Sequence, residues 1–142
     1  MATQVKVLVV DDSAFMRQVI IKMLEADSMI KVVGYARDGK EALEKIQRFN
    51  PDVVTMDVEM PGLDGLETLE RIMCLKPTPV VMLSAVTTKG AETTIRALEL
   101  GAVDFVAKPE KRIDMGKLAT ELPDKVKMAA GVAVAKVCRT RD

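Results

Sequence analysis

Val53-Val54-Thr55-Met56-Asp57, followed at once by Val58-Glu59-Met60-Pro61-Gly62, decides how the rest of the chain is read. Val, Thr and Met suit a pleated, packed surface and Asp does not, so the acid marks the point where a buried strand leaves its sheet. Asp57 is therefore expected on a rim. In open parallel sheets ligands sit outside the carboxyl ends of the strands, which makes a rim carboxylate a candidate for chemistry. The plainer alternative is an Asp that merely opens the Met60-Pro61-Gly62 turn, and other residues must converge on the same rim to displace it.

Outward from this strand the same pattern repeats. Val5-Lys6-Val7-Leu8-Val9-Val10 is short and almost continuously apolar, as for a strand covered on both faces, and Asp11-Asp12-Ser13 ends it. Met16, Val19, Ile20, Met23 and Leu24 recur at helical spacing, with Ser13 or Asp12 as the cap. Ile30 to Ala36 reads as a second strand. Asp38 and Glu41 resemble a capping box ahead of Ala42, Leu43 and Ile46, and Asn50-Pro51 stops that helix. Past the central strand, Asp64-Gly65 opens a helix lined by Leu66, Leu69, Ile72 and Met73, and Val80 to Leu83 forms a strand with Ser84 at its rim. Ala91, Ile95 and Leu98 line a fourth helix that Gly101 can end, and Val103 to Ala107 forms a fifth strand closed by Lys108-Pro109. Leu118 and Leu122 belong to a fifth helix beginning near Asp114, which Pro123 should kink, end or replace with a new one. Five strands alternating with five helices predict an α/β fold, a doubly wound five-stranded parallel sheet in the order 2-1-3-4-5.

Length and composition narrow the function classes. The 142 residues suffice for one core, so one domain is expected over 1–122, with 123–142 as a basic linker, helical or not. Residues 125–142 carry five basic side chains and one acid, whereas the body is net acidic. No apolar run is long enough to span a bilayer and no leader pattern stands at the N-terminus, so a cytoplasmic location is expected, without membrane insertion. Cys74 and Cys138 lie far apart with no CxxC partner and are expected as free thiols. The absence of histidine excludes a Ser/His/Asp triad or a His-ligated zinc on this chain. Zero net charge, no Trp and only four other aromatics leave no surface for nucleic acid.

The predicted rim gathers more than Asp57. Asp11 and Asp12 follow strand one, Ser84 strand four and Lys108 strand five, while strand two contributes nothing. In the order 2-1-3-4-5, strands one and three flank the switch point, so three carboxylates meet in one crevice. Packed together at neutral pH they need a cation, and hard oxygen ligands select Mg²⁺ or a similar ion. Lys108 brings a point charge suited to a phosphate oxygen, and Ser84 a hydroxyl for another, leaving one Asp as nucleophile. Asp57, isolated on the central strand, is the better acceptor, and the adjacent Asp11-Asp12 pair the better metal ligand. Taken singly, Ser84 is a turn hydroxyl, Lys108 a solvated cation and Phe105 core. Their convergence carries the reading.

Asp11-Asp12, Asp57, Ser84-Ala85 and Lys108-Pro109, at these separations, resemble the CheY-like receiver domain of two-component response regulators over about residues 4–122. The resemblance implies a self-phosphorylating regulatory module, with an aspartyl phosphate on Asp57 taken from a histidine kinase. It also implies Mg²⁺ held by Asp12, Asp57 and the backbone carbonyl of Glu59 with Asp11 assisting, Phe105 moving with Ser84, and a cis Lys108–Pro109 bond. Val10 to Arg17, Met82 to Glu92 and Arg96 to Phe105 are similar, more narrowly, to the chemotaxis methylesterase family CheB. Members of that family continue past a linker into an esterase domain, which implies control of a chemoreceptor methylesterase/deamidase in a longer protein. Phe105 stands where Tyr is commoner, and Glu59 adds a carboxylate beside the metal. A haloacid-dehalogenase-type Mg²⁺-dependent phosphatase is the rival, since it also uses a strand-end Asp and Asp57-Val58-Glu59 places two acids two apart; the Asp11-Asp12 spacing argues against it. A flavodoxin-like electron carrier would need a Ser/Thr/Gly-rich loop after strand one, which Asp11-Asp12-Ser13 is not.

Overall fold

Every strand is followed by a helix: β1 (Val5–Val10), α1 (Ala14–Glu25), β2 (Ile30–Ala36), α2 (Gly39–Phe49), β3 (Val53–Asp57), α3 (Gly65–Leu75), β4 (Val80–Ala85), α4 (Thr88–Glu99), β5 (Asp104–Lys108) and α5 (Met115–Ala130). This computed structural model describes residues 4–60, 62–85, 88–109 and 115–134. All strand pairs are parallel and the order is β2-β1-β3-β4-β5, as the sequence predicts.

The near-continuous apolar runs are explained by burial on both faces. Leu8, Val10, Val54, Met56, Val80 and Met82 pack beneath α2, α3 and α4. Their neighbours Val7, Val9, Val53, Val81, Leu83 and Val106 face α1 and α5. All of β3 is buried, so Asp57 is delivered from the most enclosed strand. Ser13, one of the two expected caps, takes the role in α1 by accepting from the Met16 N–H. Asp38 accepts from the Glu41 N–H, but the Glu41 carboxylate is turned to Arg37 and Lys45, so only half of the expected capping box forms. Gly65 has to be glycine: a Cβ there would lie 2.6 Å from the Asp57 carbonyl oxygen and 2.7 Å from Val58 Cα. α3 therefore starts pressed against the backbone that carries Asp57, and its Gly65 N–H bonds to the Val58 carbonyl at 2.9 Å.

Four expectations are corrected. The α4 row Ala91, Ile95 and Leu98 faces outward, with Ile95 60% and Leu98 41% exposed, while Gly90, Thr94 and Ala97 are buried. Small residues let the helix approach β4 closely, and the Thr94 hydroxyl is satisfied by the Gly90 carbonyl at 2.8 Å, so burying it carries no orphan. The boundary placed at 122/123 falls inside α5, which runs through Pro123 to Ala130. Val126 and Ala129 belong to the α1/α5 core, and burying a Val contributes about 1.5 kcal/mol or more, enough to hold the turns past Pro123 together. Beyond the helix, Val134 packs on the opposite cluster, beneath α2, α3 and α4. Cys74, on the α3 side of that face, is disulfide-bonded rather than free; Cys138 lies outside the described residues. The Lys108–Pro109 bond is not cis. Trans is the ordinary state of such bonds, and Lys108 reaches its partner without the isomer. No helix among the described residues is long and apolar enough to cross a membrane.

Candidate functional site

Strands β1, β3, β4 and β5 end on the same rim, and the structure gathers Asp11, Asp12, Asp57 and Lys108 there. One oxygen of each Asp lies within 4.8 Å of those of the other two. The Asp11 carboxylate is fully buried: Oδ1 accepts the Ser13 N–H at 2.9 Å, and Oδ2 has no partner. Arg17 pins the same turn by donating from Nη1 to the Asp11 carbonyl at 2.9 Å. Asp57 is divided between two donors. Its Oδ1 accepts the Glu59 N–H at 3.2 Å, and its Oδ2 accepts Lys108 Nζ at 2.5 Å.

Electrostatics follow from this crowding. Burial pushes the Asp11 carboxyl above its ordinary value; the Ser13 N–H pulls it back, and the Asp57 charge pushes it up again. Asp57 is also raised, by burial, against the opposing hydrogen bond and charge of Lys108. For Lys108, burial would lower the ammonium, but the Asp57 bond and the charges of Asp57, Asp11 and Asp12 outweigh it and the group is raised. A buried Asp11 oxygen without a donor, on one of three clustered acids, fits a hard divalent cation such as Mg²⁺, since the cluster offers oxygen ligands.

Ser84 lies at the end of β4, but its hydroxyl is committed to the Gly90 carbonyl of α4 at 3.0 Å rather than to Asp57. Phe105 is 40% exposed, with Lys125 Nζ 5.3 Å from its ring centroid and donating to the Phe105 carbonyl at 2.7 Å. The open cleft above the carboxylates, about 630 Å³, is lined among others by Asp12, Asp57, Glu59, Lys89, Thr93 and Lys108. Lys89 and Thr93 escaped the sequence reading; a helix that begins just after a rim serine must set its first turns over the crevice, and that was the available signal. β2, expected to contribute nothing, brings Tyr35 to the rim with Arg17 5.0 Å and Lys45 4.7 Å from its ring centroid.

The response regulator receiver domain family matches residues 7–120. A protein-glutamate methylesterase/protein-glutamine glutaminase of Symbiobacterium thermophilum is 60% identical over 128 residues, which cover 89% of this chain and 35% of that protein. The chain thus spans about a third of the length of this relative. Among solved structures, the response regulator domain of Thermotoga maritima CheB is 48% identical with a TM-score of 0.85, over 92% of this chain and 98% of that one. A complex of the CheA3 P1 domain with CheY6 from R. sphaeroides matches at 34% identity and a TM-score of 0.72, covering 89% of this chain and 98% of the matched one. These matches lend the phosphatase reading no support.

Proposed function

The chain belongs to the response regulator receiver domain family, and on that premise we propose that it is the phosphorylation switch of a CheB-type chemotaxis methylesterase acting in the cytoplasm. One observation carries the reading: Asp57, buried at the end of the central strand, is held by Lys108 and the Glu59 N–H beside an Asp11-Asp12 pair that has an unpartnered oxygen. An Asp57 oxygen attacks the phosphorus of a kinase phosphohistidine, a P–O bond forms, the P–N bond breaks, and the imidazole nitrogen keeps the electron pair and takes up a proton. Asp12, Asp57 and the Glu59 carbonyl, with Asp11 assisting, would hold a Mg²⁺ ion, which would supply positive charge to neutralise the transferred group. Lys108 turns from Asp57 to a phosphoryl oxygen, and the Ser84 hydroxyl to another. Phe105 then follows Ser84, altering a face that already exposes Ile95, Leu98 and Phe105. That face covers the esterase domain, whose targets are chemoreceptors, until phosphorylation loosens it.

The test is a fusion. Joined through its own C-terminus to the esterase domain of the Symbiobacterium relative, the chain should lower basal methylesterase activity several-fold, and acetyl phosphate with Mg²⁺ should restore it. A basal rate equal to that of the free esterase domain defeats the inhibitory part. Glu59 supplies a second check. Its exposed carboxylate stands at the mouth of the cleft and repels anionic donors. Glu59→Gln should speed labelling by acetyl phosphate about two- to fivefold at low ionic strength, with the gain shrinking in about 0.5 M salt. A gain that is indifferent to salt would rule out this electrostatic role.

A further inference from the structure

We propose that Thr94 sets the bias of the Ser84 switch by competing with it for the Gly90 carbonyl, an inference that rests on the receiver function above. The Gly90 oxygen accepts the Ser84 hydroxyl at 3.0 Å and the Thr94 hydroxyl at 2.8 Å. Both side chains are buried, Ser84 at 5% and Thr94 at 8% exposure, so neither hydroxyl has ready recourse to water. A carbonyl offers two lone pairs, and in a regular helix the N–H four residues on claims the same oxygen. Donors therefore crowd one acceptor, and the Ser84 bond is weaker than it would be with the carbonyl to itself.

Thr94 acts a second time when Ser84 leaves. A hydroxyl that turns from Gly90 to a phosphoryl oxygen on Asp57 would leave one of that buried acceptor's two lone pairs empty beside the helix N–H, unless a second donor stays behind. Thr94, on the same oxygen and on the buried face of α4, is that donor. Competition before the switch and cover after it have the same sign. Both favour the phosphorylated arrangement. Thr94 touches no reacting atom, so it is a positioning residue. Its hydroxyl, rather than its bulk, is what matters.

Thr94→Val keeps the shape and removes the hydroxyl, Thr94→Ser keeps the hydroxyl, and Thr94→Ala removes it without a branched replacement. The 142-residue chain and the three variants would be titrated with fluoroberyllate, a phosphoryl mimic, at saturating Mg²⁺, following backbone amides by NMR. Thr94→Val and Thr94→Ala should each need at least about threefold more fluoroberyllate than the parent, Thr94→Ser should match the parent, and the affinity for Mg²⁺ alone should be unchanged in all. A Val or Ala midpoint at or below that of the parent overturns the inference, as does a Ser variant as weak as Val. A parent chain that ignores fluoroberyllate would instead overturn the receiver reading, and with it this one.

Discussion

Asp57→Asn should abolish covalent phosphate uptake, with intact-mass spectrometry after acetyl phosphate and Mg²⁺ showing one phosphoryl group per parent chain and none on the variant. A carboxylate oxygen is a usable nucleophile and an amide is not, so the expected loss is at least about a thousandfold in labelling rate. Of the two described carboxylates clustered with Asp57, Asp12 is the exposed one, and it is assigned to the metal. Asp11 is fully buried with one oxygen tied to the Ser13 N–H, and Lys108 donates to Asp57. The same change takes from Lys108 the carboxylate that raises it most, so the ammonium should move back toward the ordinary lysine range. Labelling of the Asn variant at parental stoichiometry would place the nucleophile elsewhere, with Asp12 the first residue to test.

Asp11→Asn should raise the melting temperature of the metal-free chain and lose that advantage in Mg²⁺. Asp11 and Asp57 are both raised by burial above their unfolded values. Between the unfolded and folded pKa the native state binds more protons than the unfolded chain, so stability falls as pH rises through that window. The metal-free parent should accordingly melt higher near pH 5 than at pH 7.5, and Asp11→Asn should flatten the trend. Removing one of three crowded charges is worth about 1–2 kcal/mol at neutral pH, or roughly 3–8 °C in a domain of this size. Magnesium binding stabilises the parent by mass action, and a variant short of one ligand gains less. Calorimetry in EDTA and in excess Mg²⁺ decides the matter: a variant that melts below the parent in EDTA removes the electrostatic argument.

The sheet and most of the site were legible because a parallel sheet buried on both faces is written as apolar runs, and because a carboxylate or lysine that ends such a run is placed on the rim by its own unfitness for the interior. α4 was not legible in the same way. Its buried row, Gly90, Thr94 and Ala97, is small and partly polar, whereas Ile95 and Leu98, which read as core, are kept outside. Apolar spacing assumes that burial follows hydrophobicity, and a helix that approaches its strand closely, or keeps an apolar face for a partner, breaks that assumption. Ser84 was assigned its position but not its present partner, since the Gly90 carbonyl leaves no mark in side-chain pattern. Pro123 misled in the opposite sense: as a local signal it breaks helices, yet the burial of Val126 and Ala129 one and two turns later outweighs the bond it removes.

The uninterrupted α5 changes the polymer physics of whatever is joined beyond it. Eight residues of free chain, 123–130, would have a root-mean-square span of about 15 Å and sample every direction. As helix they are a strut of about 12 Å with one direction, and Val126 and Ala129 sit in the core shared with α1. A partner module attached beyond α5 therefore searches a smaller volume, and its effective concentration at the receiver surface is set by the chain that follows the strut rather than by a leash starting at residue 123. Inserting flexible residues beyond Val134 should dilute that concentration, whereas the same insertion at Leu122 would first have to break a core.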